Sequence, residues 1–377
     1  DYNFHKIIER PKSLMDKNNL KIKKQENDNL QEIFYKGSSK KGNYQSMKRS
    51  LNLAVLGIDH GHIFDMLDEM IKEGCNCNNF WTEGSPLTIK EFNKKYPNIR
   101  RVENKSEILN DDKIDMILIS SIPKDRASIS IEALNSGKDV MVDKPGCTTL
   151  DQLEDLKLTT KKTGKIWSVN FSERFHVAAV AKAEQLVSEG KIGKVKQTMG
   201  TGPHRQGNYE RPDWFYNRES YGGIITDIGS HQIHQFLVFT NSNEAKITHA
   251  MVENTTQKKF PGFQDFGEVN LSGNEGHGYI RLDWFTPDAL PTWGDGRLFI
   301  LGDKGFIEIR KYTDLAKSNN GNHLIYANND EVKHIDCSDV KLPYFRNLIN
   351  DVLNRTETAC SQNLTYLSME LAIKAQE

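Results

Sequence analysis

Between residues 51 and 170 short apolar runs alternate with segments whose apolar residues recur at helical spacing. Few architectures tolerate that pattern. Residues 51–56, 79–82, 114–120, 139–142 and 166–170 read as strands. The run at 114–120 has no polar alternation, as expected of a central parallel strand covered on both faces. Between the strands, Ile63, Met66, Leu67, Met70 and Ile71 mark one helix, and Ser85-Pro86 reads as the cap and first turn of another. A further helix runs from Pro123 to Ser136 and is closed by Gly137, and Thr149 with Gln152 forms a capping box for the next. Strands and helices alternating at this spacing call for a doubly wound parallel sheet.

After about residue 190 the pattern changes. Residues 194–200, 247–254, 268–272, 278–285, 297–301 and 305–310 read as strands, several with alternating faces, and 302–305 as a hairpin turn. Apolar spacing at Phe345, Leu348, Ile349, Val352 and Leu353 marks a helix, and Leu364, Leu367, Leu371 and Ala372 another. The second half is therefore expected to be an α+β domain on a largely antiparallel sheet. The expected division is a poorly structured extension over 1–46, a nucleotide-binding domain over 47–168, and a substrate and oligomerisation domain over 169–377. Residues 1–46 carry too few large apolar side chains to offset chain entropy, and Met47 is a candidate start.

A formal net charge of -1 supplies no field that would gather nucleic acid or an anionic membrane surface. No apolar run is long enough to span a bilayer. The five cysteines are scattered and read as reduced thiols, with no metal site expected. A cytoplasmic location is expected.

The first strand ends in Gly57-Ile58-Asp59-His60-Gly61-His62. A strand, a glycine turn and a helix N-terminus make an anion site, because unpaired amides and the helix dipole face a phosphate. In a Gly-x-Gly-x-x-Gly spacing Asp59 and His62 stand where glycines belong, so an ordinary tight turn fits equally well. Glu83, after the second strand, is placed to accept ribose hydroxyls and to repel a 2′-phosphate, which favours NAD, with NADP the alternative. Ser120 and Pro123, around the end of the third apolar run, belong to the same expected nucleotide site. Asp143-Lys144-Pro145 follows another strand at the sheet edge where ligands bind, and a lysine there can orient or acidify a hydroxyl.

In the stretch from Tyr221 to His234, helical spacing puts Asp227 and His231 one turn apart, with His234 on nearly the same stripe. A carboxylate beside an imidazole suits proton acceptance at neutral pH. The same three residues also have the composition of a metal site, and a polar structural helix is the third reading. His204, Arg205, Arg211, Trp214 and Trp293 on second-domain loops are candidates to hydrogen-bond and stack on a sugar ring.

These motifs together resemble the Gfo/Idh/MocA family, the glucose–fructose oxidoreductase and inositol dehydrogenase group. The resemblance rests on Asp143-Lys144-Pro145, on Gly222-Gly223 through Asp227 and His231, and on residues 133–140. Asn170-Phe171 with Arg174-Phe175 and residues 190–195 add to it. It implies a Rossmann-type domain and a nicotinamide cofactor. His231 is implied as general base, Asp227 as its partner, and Lys144 beside the reacting hydroxyl. Arg174, His204, Arg205, His231 and His234 would contact a sugar-like substrate, and a homo-oligomer would form through the C-terminal sheet. Four departures stand out: Asp59 and His62 in the turn, Arg126 in place of His, Asp143 in place of Glu, and His234 in place of Asp. Two other activities share these residues: a redox-neutral glycosidase or lyase that uses bound NAD transiently, and a non-catalytic nucleotide or sugar sensor.

Overall fold

The computed structural model describes residues 50–207 and 211–377, so the expected extension over 1–46 lies outside the described residues. Six strands build the first sheet: β1 (Asn52–Leu56), β2 (Asn76–Trp81), β3 (Arg100–Arg101), β4 (Met116–Ile119), β5 (Asp139–Asp143) and β6 (Trp167–Asn170). They are all parallel, in the order β3-β2-β1-β4-β5-β6. The helices between them are α1 (His62–Lys72), α2 (Ile89–Lys95), α3 (Lys105–Leu109), α4 (Arg126–Asn135) and α5 (Leu150–Thr163). Burial of every residue in β4 and β5 explains their unbroken apolar runs. The order reverses between β1 and β4, and ligands bind at such a crevice beyond the carboxyl ends of the strands.

Local signals place most of these helices. Gly137 takes φ +77° after α4, and the Thr149 hydroxyl accepts from the Gln152 amide at the start of α5. The Gln152 side chain reaches back one residue further than a capping box requires, to the Thr148 amide at 2.9 Å. Ser85-Pro86 does not start a helix. Thr88 is the N-cap of α2, and its hydroxyl instead donates to the Ile58 carbonyl, tying this loop to the turn after β1.

Two short helices, α6 (Ser172–Phe175) and α7 (Ala178–Ser188), lead into an eight-stranded sheet. Its strands are β7 (Val195–Pro203), β8 (Ala245–Glu253), β9 (Phe266–Gly273), β10 (His277–Asp283), β11 (Arg297–Gly302), β12 (Gly305–Arg310), β13 (His323–Asn328) and β14 (Val332–Asp336). All neighbours are antiparallel except β7 and β10. The remaining helices are α8 (Arg218–Tyr221), α9 (Ser230–Thr240), α10 (Tyr344–Asn354) and α11 (Gln362–Gln376). One sheet face is covered by α9 and α11 towards β8, and by α7 towards β13.

The end of the chain returns to the first sheet. Tyr344, Phe345, Leu348, Ile349 and Val352 of α10 join its core, as do Met369 and Ile373 of α11, while Leu371, Ala372 and Ala375 join the core of the second sheet. Helix α11 therefore ties the two sheets together and limits their relative movement. No helix among the described residues is long and apolar enough to cross a membrane.

Candidate active site

The turn after β1 is built for close approach. Gly57 adopts φ +81°, and a Cβ there would lie 2.5 Å from the Ser121 Cβ, so only glycine fits. The Gly57 amide donates to the Trp81 carbonyl at 2.8 Å, and the His60 amide donates to the Ser120 carbonyl at 3.0 Å. Gly61 then caps α1 without a side-chain hydrogen bond, and no atom lies within 4 Å of where its Cβ would be. The helix N-terminus is thus open to an anion.

The hydroxyls of Ser121 and Thr82, at the ends of β4 and β2, are buried without a protein partner. Pro123, itself buried, opens a 3₁₀ turn beside them, and Glu83 is exposed in the loop after β2. Orphaned donors, an open helix end and an exposed acid after β2 at one switch point fit a dinucleotide. Two features complicate the fit. Burial pushes the Asp59 carboxyl in the turn up to about 6, opposed by Arg126 and reinforced by Asp125 and Glu83. Arg101 also donates to the Thr82 and Gly84 carbonyls at 2.9 and 2.7 Å, bringing a cation to the loop that carries Glu83.

At the end of β5, two of the departures compensate each other. Arg126 Nη2 donates to Asp143 Oδ2 at 2.9 Å, with both side chains buried, so a longer cation reaches a shorter carboxylate. Arg126 also donates to the carbonyls of Ser121, Asp143, Lys144 and Pro145, which locks the lysine-bearing loop. His60 and His62 fold onto the same carboxylate, at 3.0 and 2.8 Å. Burial raises the Asp143 carboxyl, but Arg126 and the two imidazoles outweigh it and hold the group well below the carboxylate range.

Across the cleft, Gly222 and Gly223 both take φ +90°, and a Cβ on Gly223 would strike the Gln376 side chain. Gln376 Oε1 accepts from the Ile225 amide at 2.8 Å, so the C-terminal helix sets this turn. Residues Ile225–Gly229 form a π-helical turn before α9 rather than the regular helix that the spacing suggests. Asp227 is consequently not hydrogen-bonded to His231. Its carboxylate accepts from Lys144 Nζ at 2.8 Å. Burial pushes the Asp227 carboxyl up, and the Lys144 ammonium brings it below its usual value.

His231 is 2% exposed, and its Nδ1 is buried without a partner. Burial first, then the Lys144 charge, hold the imidazole well below its ordinary pKa, so it is neutral at neutral pH.

The remaining expected residues divide. His204 stays at the cleft, its Nδ1 3.2 Å from the Gly202 carbonyl and its ring 4.5 Å from Trp293; burial and Lys144 bring it down to about 4. Arg205 instead staples the 287–292 loop, donating to the Pro287 and Thr292 carbonyls. Arg211 lies over Phe215, with its guanidinium carbon 4.2 Å from the ring centre. Trp214 approaches His60, at 6.4 Å between ring centres.

Arg174 and His234 are committed to each other. Arg174 donates to His234 Nε2 at 2.9 Å and pairs with Glu184 at 2.7 Å. His234 Nδ1 then faces the Ser368 hydroxyl at 2.9 Å, and its ring stacks on Phe171 at 4.1 Å. The Asp227/His231/His234 trio is therefore not gathered as a metal site.

Asn170, whose Nδ2 is buried without a partner, enters the sequence reading only through the resemblance, and His176, 3.0 Å from Asn170 Oδ1, does not enter it. Two surface depressions, of about 660 Å³ against α5 and α11 and about 550 Å³ at Tyr216 and Phe260, hold none of this chemistry.

Comparison with known proteins agrees with both halves. Residues 180–308 match the GFO/IDH/MocA C-terminal domain, and residues 83–171 match the oxidoreductase family's NAD-binding Rossmann fold. A structure from Erwinia carotovora atroseptica SCRI1043, described as an oxidoreductase, superposes with a TM-score of 0.84 at 39% identity, covering 87% of this chain and 98% of that one. D-xylose dehydrogenase of Paenarthrobacter nicotinovorans is 26% identical over 148 residues, 38% of each chain. The scyllo-inositol 2-dehydrogenase (NADP(+)) of Bacillus subtilis strain 168 is 22% identical over 229 residues, 58% of this chain and 61% of that one. The chain thus spans 38% and 61% of the length of these two curated relatives.

Proposed function

The chain belongs to the Gfo/Idh/MocA oxidoreductase family, and from that membership we propose that it oxidises a sugar- or cyclitol-like secondary hydroxyl, with a nicotinamide dinucleotide as partner. The observation that carries this reading is a neutral, buried imidazole with an unpartnered Nδ1, His231, within electrostatic reach of the Lys144–Asp227 ion pair. The nicotinamide, when bound, supplies the hydride acceptor. Loss of hydride from a carbinol carbon requires removal of the hydroxyl proton, and His231 is in the form that accepts one. Lys144, held by Asp227, stabilises the developing alkoxide. Gly57, Gly61, Ser120, Ser121 and Pro123 would hold the dinucleotide, with Glu83 at the ribose. His204 and Trp293 border the sugar.

NAD at about 100 times its dissociation constant stabilises the folded state by roughly 2.7 kcal/mol. A chain of this size should then melt on the order of 5 °C higher. NADP should shift it less, because the Glu83 carboxylate repels a 2′-phosphate. A larger shift with NADP would assign the ribose pocket to Arg101 instead. No shift with either dinucleotide at millimolar concentration would overturn the reading.

The uncovered face of the second sheet supports a homo-oligomer. Met199 pairs with Phe299 and Leu301 with Phe306 on that face, and Met199 and Leu301 are about 40% exposed. An apolar strip of this kind on a sheet marks an association surface. Sedimentation should show a dimer or larger species, and Met199→Glu with Leu301→Glu should shift it to monomer. A wild-type monomer at micromolar concentration would refute the interface.

A further inference from the structure

We propose that His60, His62 and Asp143 form a binding site for one borderline divalent transition cation (Zn²⁺, Co²⁺ or Ni²⁺) at the mouth of the glycine turn. The turn after β1 and the end of β5 bring together two imidazole nitrogens and a carboxylate, with all three donor atoms within 4.8 Å of one another. His62 Nδ1 lies 2.8 Å from Asp143 Oδ1, and His60 Nδ1 lies 3.0 Å from Oδ2. The two rings are nearly perpendicular, with centres 4.3 Å apart, so both nitrogens meet one carboxylate from different directions.

The contacts around His60 bear on the same site. The His62 amide N–H points at His60 Nδ1 at 3.4 Å, which calls for a lone pair on that nitrogen. A carboxylate oxygen 3.0 Å away calls for a proton or a cation between them. A metal ion bound by Nδ1 would bridge to the carboxylate and take that lone pair in place of the long amide contact.

Supporting contacts of the kind metal sites use are present. Asp143 Oδ2 accepts from Arg126 at 2.9 Å and from the Ser120 hydroxyl at 3.4 Å, which fixes the carboxylate. Arg126 shares Oδ2 with His60, and its guanidinium charge limits the affinity of the ion. Three protein ligands leave a tetrahedral ion one open position. His60 and His62, each about a third exposed, open onto the cleft that carries Lys144 and His231. Two imidazoles and one carboxylate favour zinc, cobalt or nickel over magnesium or calcium. This site departs from the expectation of no metal site that the scattered cysteines support.

The test uses tag-free chain stripped by chelator and dialysed, titrated with Co²⁺ without nucleotide or substrate. One equivalent should bind and develop visible d–d absorption, with Zn²⁺ displacing it and Mg²⁺ giving no calorimetric signal. His60→Ala and His62→Ala, each checked for a wild-type melting curve, should weaken binding at least roughly tenfold. His334→Ala on the far sheet edge should bind as wild type. Absence of stoichiometric binding, or binding that survives both replacements, would overturn the site. Because the readout needs neither dinucleotide nor turnover, loss of the oxidoreductase reading would leave it standing, and the reverse holds.

Discussion

His231→Ala is expected to lower turnover by roughly 10²–10⁴ while NAD affinity, read by titration or thermal shift, stays within about twofold. The size follows from removing a general base from a cleft with no equally placed substitute. Asp227 is already paired with Lys144, and the polar atoms of His234 are taken by Arg174 and Ser368. The pH profile offers a second check. Burial and the Lys144 charge hold His231 well below an ordinary imidazole, so it stays neutral as pH falls through the usual histidine range. The wild-type rate should therefore show no acid limb centred near 6.5. Lys144→Ala should also impair turnover, but it additionally frees the Asp227 carboxylate, and its effect will include altered substrate affinity. Near-normal turnover of His231→Ala on an accepted sugar would remove the imidazole from the mechanism.

The central strands of the first sheet were legible because burial on both faces leaves a signal that needs no context, whereas β3, two exposed residues, was not. All-apolar stretches such as Met116–Ile119 have few other places to go in a globular chain. β13 and β14 were not legible. Most of β14 is exposed, so its sequence carries no apolar alternation to read. Ser85-Pro86 has the chemistry of a helix start, but a tertiary bond from Thr88 to Ile58 moves the start three residues on. Local propensity is a weak prior where a loop is anchored elsewhere.

The candidate site was legible as a set of residues and not as a set of partners. Asp227 looks like the partner of His231 because four residues make one turn of a regular helix. The π-turn breaks that spacing, and Lys144, 83 residues earlier, takes the carboxylate. Arg126 and Asp143 look like two separate departures from a family pattern. Only the fold shows them as one exchange, in which a guanidinium spans the distance left by a shortened acid. His62 reads as a misplaced turn residue until its nitrogen and that of His60 are seen turned onto Asp143. The Gly222-Gly223 pair was visible, but its cause, the approach of Gln376 from the end of the chain, was not.

The same limit applies to Lys311, which carries no motif yet forms a buried ion pair with Glu173. Its Nζ lies 2.5 Å from Glu173 Oε2, with both side chains at most 2% exposed, and Gln232 donates to the same oxygen at 2.8 Å. The pair joins α6 to the residue following β12, one position from His231 through Gln232. Lys311→Met should cost about 3–5 kcal/mol, because the Glu173 carboxylate remains buried with only an amide to compensate it. That corresponds to a melting temperature lower by on the order of 10 °C. Adding Glu173→Gln should recover much of the loss. The neutral amide oxygen still accepts from Gln232, and no stranded charge remains. The comparison separates charge from packing. A double variant that melts as low as Lys311→Met would mean that the cost came from lost volume, and a single variant that melts like wild type would mean that water reaches Glu173.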